Sequence, residues 1–294
     1  MQSSGPASSP PLTASEVAFQ RLDAELIAAG IDTSQFGFYD QPSDMPAKDL
    51  REAYARWVQL RPRDEAYDAH VRSVVPKLCE RIIAAFEADN WHGGCVEASS
   101  MMSRMLDKLG IWSFSMLGST TFDVPSQSMC CGFYRHDFQD FQDAVLGHAW
   151  VVAPPYIVVD ATVALQQWGG DPITNYLPPF VTVESARQID PHVSDVVSWR
   201  MRCHFDSMDG YLDEQLHLRL QPDLLKFGLD FPAVEIEDGP LKVRYVAVQI
   251  FMSEGPLETI NADGEIGRSG GQIWETDVKP AFGKVDEGKR PQAL

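Results

Sequence analysis

The chain reads as an α+β protein in which helices come first and antiparallel strands follow. Three observations predict this. Apolar residues recur at helical spacing from Ser15 to about Asn90 and again from Cys95 to Leu109. Directly after Gly110 the period shortens to that of strands. Two pairs of strand-forming runs then meet at short turns, one at Pro154-Pro155 and one at Asp238-Gly239.

In chain order, residues 1–15 are rich in Ser, Pro and Gly and are expected to form a disordered tail, because they carry too little apolar surface to offset the entropy of ordering. Residues 16–89 form a helical N-terminal portion. Val17, Leu22, Leu26 and Ile27 mark a first helix ended by Gly30, and Leu50, Tyr54, Trp57 and Val58 mark a second after Pro46. Tyr67, Val71, Val74, Leu78, Ile82 and Phe86 form a longer stripe in which Pro76 predicts a kink or break. Residues 90–255 form the main domain, with its core at 90–165. There Cys95, Ala98, Met102, Met105, Leu106 and Leu109 define a helix stopped by Gly110. "IWSFSML" (111–117) reads as a strand, 121–144 as a long irregular excursion, and "HAWVVAPPYIVVDATV" (148–163) as two short strands. A strand near 180–184, a helix near 212–226 and a hairpin in "AVEIEDGPLKVRYVAVQIF" follow. Residues 256–294 are expected to be a loosely ordered tail.

Composition limits the function classes. With 24 Lys and Arg against 42 Asp and Glu, the formal charge of −18 repels nucleic acid and anionic membrane surfaces, so neither is an expected partner. The N-terminus lacks the basic and apolar regions of a secretory signal, and no run approaches the ~18 apolar residues of a membrane span. Five cysteines in no regular framework suit reduced thiols, which points to the cytoplasm, with export by a route that needs no Sec-type signal left open.

The chemistry starts at "WHGGCVEASSMMSRMLDKLG" (91–110), where Cys95 opens a helix behind two glycines. A helix N-terminus favours thiolate, although Glu97 in the first turn opposes this slightly. Gly93 and Gly94 lack side chains, so a substrate can approach the sulfur and the Cys95 N–H can face a developing oxyanion. "GHAWVVAPPYIVVDATV" supplies a base with an orienter. If Ala153-Pro154-Pro155 is a three-residue turn, Val152 pairs with Tyr156 and His148 lies opposite Asp160 on one sheet face, whereas a two-residue turn separates them. Asp160 then accepts from one ring nitrogen and leaves the other facing the thiol.

"GGCVEAS" opening a helix, "GHAWVV" starting a strand and "VVDATV" ending the next resemble the core of the transglutaminase-like superfamily of papain-fold enzymes, over roughly residues 90–165. "GGCVE" is also similar to the arylamine N-acetyltransferases, but the bulk of that family's pattern is not recognisable here. The resemblance implies a papain-like core with the nucleophile helix packed on an antiparallel sheet. It implies Cys95 as nucleophile, His148 as base and Asp160 as orienter, with no cofactor. It also implies an upstream oxyanion-hole side chain, for which Asn90, Trp91 and His92 are candidates. The implied activity is thiol-dependent acyl chemistry on a protein or peptide amide, of the peptidase or amidase, deamidase or transglutaminase type. A binding module that keeps the fold without activity is the competing class.

Other readings compete residue by residue. His92 and His136 are rival bases, and His92 with Cys95 and Cys130-Cys131 is a weak metal pattern without the usual paired spacing. Trp91, Trp150 and Trp168 are candidates to line a cleft, against the default that such aromatics belong to the core. The excursion before Gly147 is a candidate lid, and "NADGE" (261–265) reads as a turn rather than a calcium loop.

Overall fold

The computed structural model describes residues 13–138, 146–209, 213–253, 255–262 and 267–283. Order begins earlier than the composition predicts. The Thr13 hydroxyl accepts from the Glu16 N–H while the Glu16 carboxylate takes the Thr13 N–H, a reciprocal cap that starts helix α1 (Ala14–Ala28). Residues 1–12 of the expected tail lie outside the described residues. Helix α2 (Ala47–Leu60) follows Pro46 and buries Leu50, Tyr54, Trp57 and Val58.

Helix α3 (Glu65–Ala88) runs unbroken through Pro76, so of the expected kink or break, no break occurs. An interior proline costs ~3 kcal/mol, but Val74, Val75, Leu78 and Cys79 are all buried around it, and each such side chain contributes roughly 1.5–3 kcal/mol. Burial therefore outweighs the lost hydrogen bond. Helix α4 (Cys95–Lys108) ends as predicted, with Gly110 at φ 76° and the Ile111 N–H donating to the Leu106 carbonyl at 2.9 Å.

Eight strands form one antiparallel sheet: β1 (Phe114–Val124), β2 (Met129–Phe133), β3 (His148–Ala153), β4 (Tyr156–Asp160), β5 (Val181–Val183), β6 (Arg187–Gln188), β7 (Val234–Asp238) and β8 (Leu241–Ile250). The order is β5-β4-β3-β1-β8-β7-β6, with β2 also paired to β1. Strand β1 starts later than expected and runs to Val124. Its first half pairs with β3, from Phe114↔Val152 to Gly118↔His148, and its second half with β2, from Thr120↔Phe133 to Val124↔Met129. The expected irregular excursion is thus in large part a hairpin of the sheet, and only residues 139–144 of it lie outside the described residues. The β7–β8 turn falls at Gly239-Pro240, one residue later than predicted, because Asp238 pairs with Leu241.

Between β6 and β7 lie α5 (Val193–Val196), α6 (Trp199–Asp209), α7 (Leu216–Leu220) and α8 (Leu224–Asp230). The single helix expected over 212–226 is two, because Pro222 cannot continue α7. Past β8, the expected loose tail is also corrected. A short turn and helices α9 (Gly270–Ile273) and α10 (Lys279–Phe282) bury Leu257, Ile260, Ile273, Trp274 and Val278. Residues 284–294 lie outside the described residues.

The sheet is covered on both faces. Leu26 of α1 and Tyr54 and Trp57 of α2 share one core with Trp150, Val158 and Tyr245. Leu78 and Ile82 of α3 and Met101 and Met105 of α4 share the other with Val151, Val159 and the C-terminal segment. The helical N-terminal portion is therefore built into the same layers as the sheet. Among the described residues, no helix is long and apolar enough to cross a membrane.

Candidate active site

The N-terminal end of α4 is held by its approach. Gly93 has φ +80°, a left-handed conformation that favours glycine, and its N–H donates to the Leu165 carbonyl at 2.9 Å. Gly94 is the N-cap, and a Cβ there would stand 2.6 Å from the Trp91 indole nitrogen. Trp91 is in turn stacked flat on Phe86, with ring centroids 4.3 Å apart. The glycines thus serve to seat α4 against an aromatic pair, and Gly94, which is buried, does not leave the open substrate approach that the sequence suggested. Because glycine has no side chain to cap the helix, the first-turn N–H groups at Cys95 have neither an intrahelical partner nor a side-chain cap. That end of the helix favours negative charge.

His148, the first residue of β3, and Asp160, the last of β4, are joined by a hydrogen bond from Nε2 to Oδ2 of 2.6 Å. They share a face for a reason that the sequence did not show. The turn between them is the two-residue one, with Ala153 paired to Tyr156, which alone would place the two side chains on opposite faces. A bulge restores the parity. Two residues of β4, Ile157 and Val158, oppose the single Val152 of β3, so that Val151 pairs with Val159 and residues of equal parity face the same way from there on.

Every oxygen of Asp160 is held. Oδ1 accepts from the Thr162 N–H at 2.9 Å and the Thr162 hydroxyl at 3.2 Å, and Oδ2 accepts from His148 and from the Tyr245 hydroxyl at 3.0 Å. The side chains of His148 and Asp160 have no exposed surface. Burial works against charge on both, yet it is outweighed: His148, the Thr162 N–H and the Tyr245 hydroxyl hold the Asp160 carboxyl below its ordinary range. Burial likewise lowers the His148 imidazole, but the Asp160 charge and hydrogen bond, with a smaller contribution from Cys95, raise it above its ordinary range. The Cys95 thiol is close enough to contribute in this way. With Nε2 bonded to Asp160, the buried Nδ1 makes no bond of good geometry to any other group and is the nitrogen through which the ring interacts with the Cys95 thiol.

The structure brings Cys95, His148 and Asp160 together and adds two residues that sequence reasoning missed. Tyr245 reaches Asp160 from β8, which β3 and β1 separate from β4 in the sheet. Phe133 of β2 stacks on the His148 ring at 5.9 Å and is itself met edge-on by Trp168 at 4.9 Å. The hairpin read as a lid thus covers the imidazole through one aromatic ring. Phe133 was hidden because Pro125 and the polar residues after it disguise the strand pair.

Other candidates fall elsewhere. Trp150 lines no cleft: it is 2% exposed and packs edge-on against Tyr245 in the core, because its position on β3 turns it under α1 and α2. Trp91 is 3% exposed, with its backbone N–H donating to the Phe86 carbonyl and its indole nitrogen against Gly94. Asn90 and His92 are exposed. His136 forms a bridge with Val197 and is not a member of the hydrogen-bonded set around Asp160. Among the described residues, no group of three or more His, Cys, Asp or Glu side chains is placed to hold a metal ion. Of "NADGE", residues 263–265 lie outside the described residues.

Compared with protein-family models, with curated proteins and with solved structures, the chain finds no match in any of the three.

Proposed function

We propose that the protein is a cysteine-nucleophile enzyme with a papain-like, transglutaminase-like core that carries out acyl chemistry on a protein or peptide amide. The observation that carries this reading is the imidazole of His148: Nε2 is fixed by Asp160 at 2.6 Å, while the buried Nδ1 has no partner in good hydrogen-bond geometry other than the Cys95 thiol that interacts with the ring at the open end of a helix. A histidine serving only the core has both nitrogens satisfied by inert groups; one that must receive a proton keeps a nitrogen toward the group that gives it.

In this reading His148 Nδ1 takes the proton of Cys95 as the sulfur attacks the amide carbon. The C–N bond breaks as the imidazolium returns its proton to the leaving nitrogen, which yields a thioester and an amine or ammonia. The Cys95 N–H faces the oxyanion of the tetrahedral intermediate. Water then attacks the thioester to give hydrolysis or deamidation, and an amine gives transamidation, with His148 again moving the proton. Asp160 holds the imidazole in the required tautomer throughout.

The closed state of the site favours a second reading. Cys95 is 6% exposed and His148 0%, with Phe133 over the ring, which suits a module that binds through the fold without turnover. Mass spectrometry of a glutamine-containing peptide pool, incubated with and without a primary amine, separates the readings. The enzyme reading expects substrate mass changes with wild-type protein that Cys95→Ala abolishes, and the kind of change names the reaction. Binding of the peptides without any mass change would leave the module.

A further inference from the structure

We propose that Tyr245 is a positioning residue of this site: its hydroxyl fixes the Asp160 carboxylate and limits how tightly that carboxylate holds the proton of His148. The proposal rests on the reading of Cys95, His148 and Asp160 as a catalytic set. It starts from the phenol's surroundings. Tyr245 is 1% exposed, and a buried hydroxyl is costly unless it is bonded. Its acceptor is Oδ2 of Asp160, the same oxygen that takes the Nε2 proton of His148.

Core filling does not require that oxygen. The ring packs edge-on against Trp150 with centroids 5.1 Å apart, a contact that phenylalanine would keep. The side chain also reaches over from β8, past β1 and β3, to a carboxylate on β4. Two consequences follow from its hydroxyl. Thr162 holds Oδ1 and Tyr245 holds Oδ2, so the plane of the carboxylate is fixed, and with it the imidazole ring that leans on Oδ2. Donation to Oδ2 also draws charge from the oxygen that attracts the imidazolium. A bare carboxylate there would hold the proton more tightly and slow its return to a leaving group. The titratable groups acting on the network are His148, Tyr245, Cys95 of α4 and Cys79 of α3.

The test is a pH titration of the His148 ring nitrogens by NMR in wild type, Tyr245→Phe and Asp160→Asn. In wild type the midpoint should lie above the ordinary histidine range. Asp160→Asn should lower it, and Tyr245→Phe, which deletes one oxygen, should raise it further by about half a unit or more. A folded Tyr245→Phe protein with the wild-type midpoint would overturn the proposal and leave Tyr245 as core packing. A second measurement stands if that variant does not fold: in wild type labelled at the tyrosine Cζ carbon, the Tyr245 signal should move at the same pH as His148 titrates, and a stationary signal would overturn the proposal. An ordinary His148 midpoint in wild type would overturn the catalytic reading itself, together with this inference.

Discussion

Two carboxylates lie near opposite ends of α4 and behave in opposite ways. At the N-terminal end Asp160 is wholly buried, receives four donors and is held below its ordinary range. At the C-terminal end the Asp107 side chain is 13% exposed, and among the described residues its ion pair to Arg104 is long at 3.7 Å and its Oδ1 has no partner. Burial pushes Asp107 up to about 8, with Asp40 adding to the rise and Arg104 opposing it. Burial therefore decides the charge only where donors are missing.

The largest expected effect breaks the first of these two sites. On the proposed enzyme reading, Asp160→Asn replaces an acceptor with a group that favours the wrong tautomer of His148, and turnover should fall by up to ~10⁴-fold, the loss known for a serine-triad aspartate. The same change at the other end of the helix, Asp107→Asn, should leave turnover unaltered; comparing initial rates of the two variants reads the contrast directly.

Stability against pH sharpens the comparison. Asp107 has a folded value above its unfolded 3.8, so its favourable contribution is complete below that pH and is lost as pH rises through about 8. Asp107→Asn removes that loss and should be more stable than wild type at pH 8, with little gain near pH 4, as read from urea melts. Asp160 has the opposite sign, with a contribution present above 3.8 and lost as pH falls through its lowered value. The raised His148 contributes fully below 6.5 and loses its contribution as pH rises through its folded value. The pair thus stabilises most between 3.8 and 6.5, and there Asp160→Asn should cost most stability.

Smaller effects probe how the N-terminal end is seated. Gly94→Ala forces a methyl against the Trp91 indole and should destabilise by about 1–2 kcal/mol in a thermal melt. Thr162→Val removes the hydroxyl donor at 3.2 Å but keeps the N–H donor at 2.9 Å, so it should cost about 1 kcal/mol or less in the same melt, with activity nearly retained.

Much of this was legible along the chain, and the remainder was hidden for physical reasons. The stripes of α1 to α4, the helix opening on Cys95 and the strand pair bearing His148 and Asp160 follow from local periodicity. The shared face of His148 and Asp160 was expected from a three-residue turn and instead arises from a two-residue turn plus a bulge. Two one-residue changes of register add to two, which restores the shared face but sets Asp160 across from Trp150 rather than His148, and a hydrophobic run such as "YIVVD" gives no sign of where a bulge falls. Tyr245 was invisible because nothing local ties a residue on β8 to one on β4; an alternating strand shows that it points inward and not what it meets. In the C-terminal segment, Gly and Ser suggested looseness, yet Ser269 and Gln272 form a reciprocal cap that starts α9.

The central claim is that Cys95 is the thiol His148 activates. Iodoacetamide labelling near neutral pH, followed by peptide mapping of all five cysteines in wild type and His148→Ala, tests it most directly. Burial raises the Cys79, Cys130 and Cys131 thiols above their ordinary range, so these should react slowly. The account predicts that Cys95 labels fastest in wild type, and that His148→Ala slows Cys95 about ten-fold or more without slowing the other four. Cys95 labelling no faster than the others, or at the same rate without His148, would contradict it.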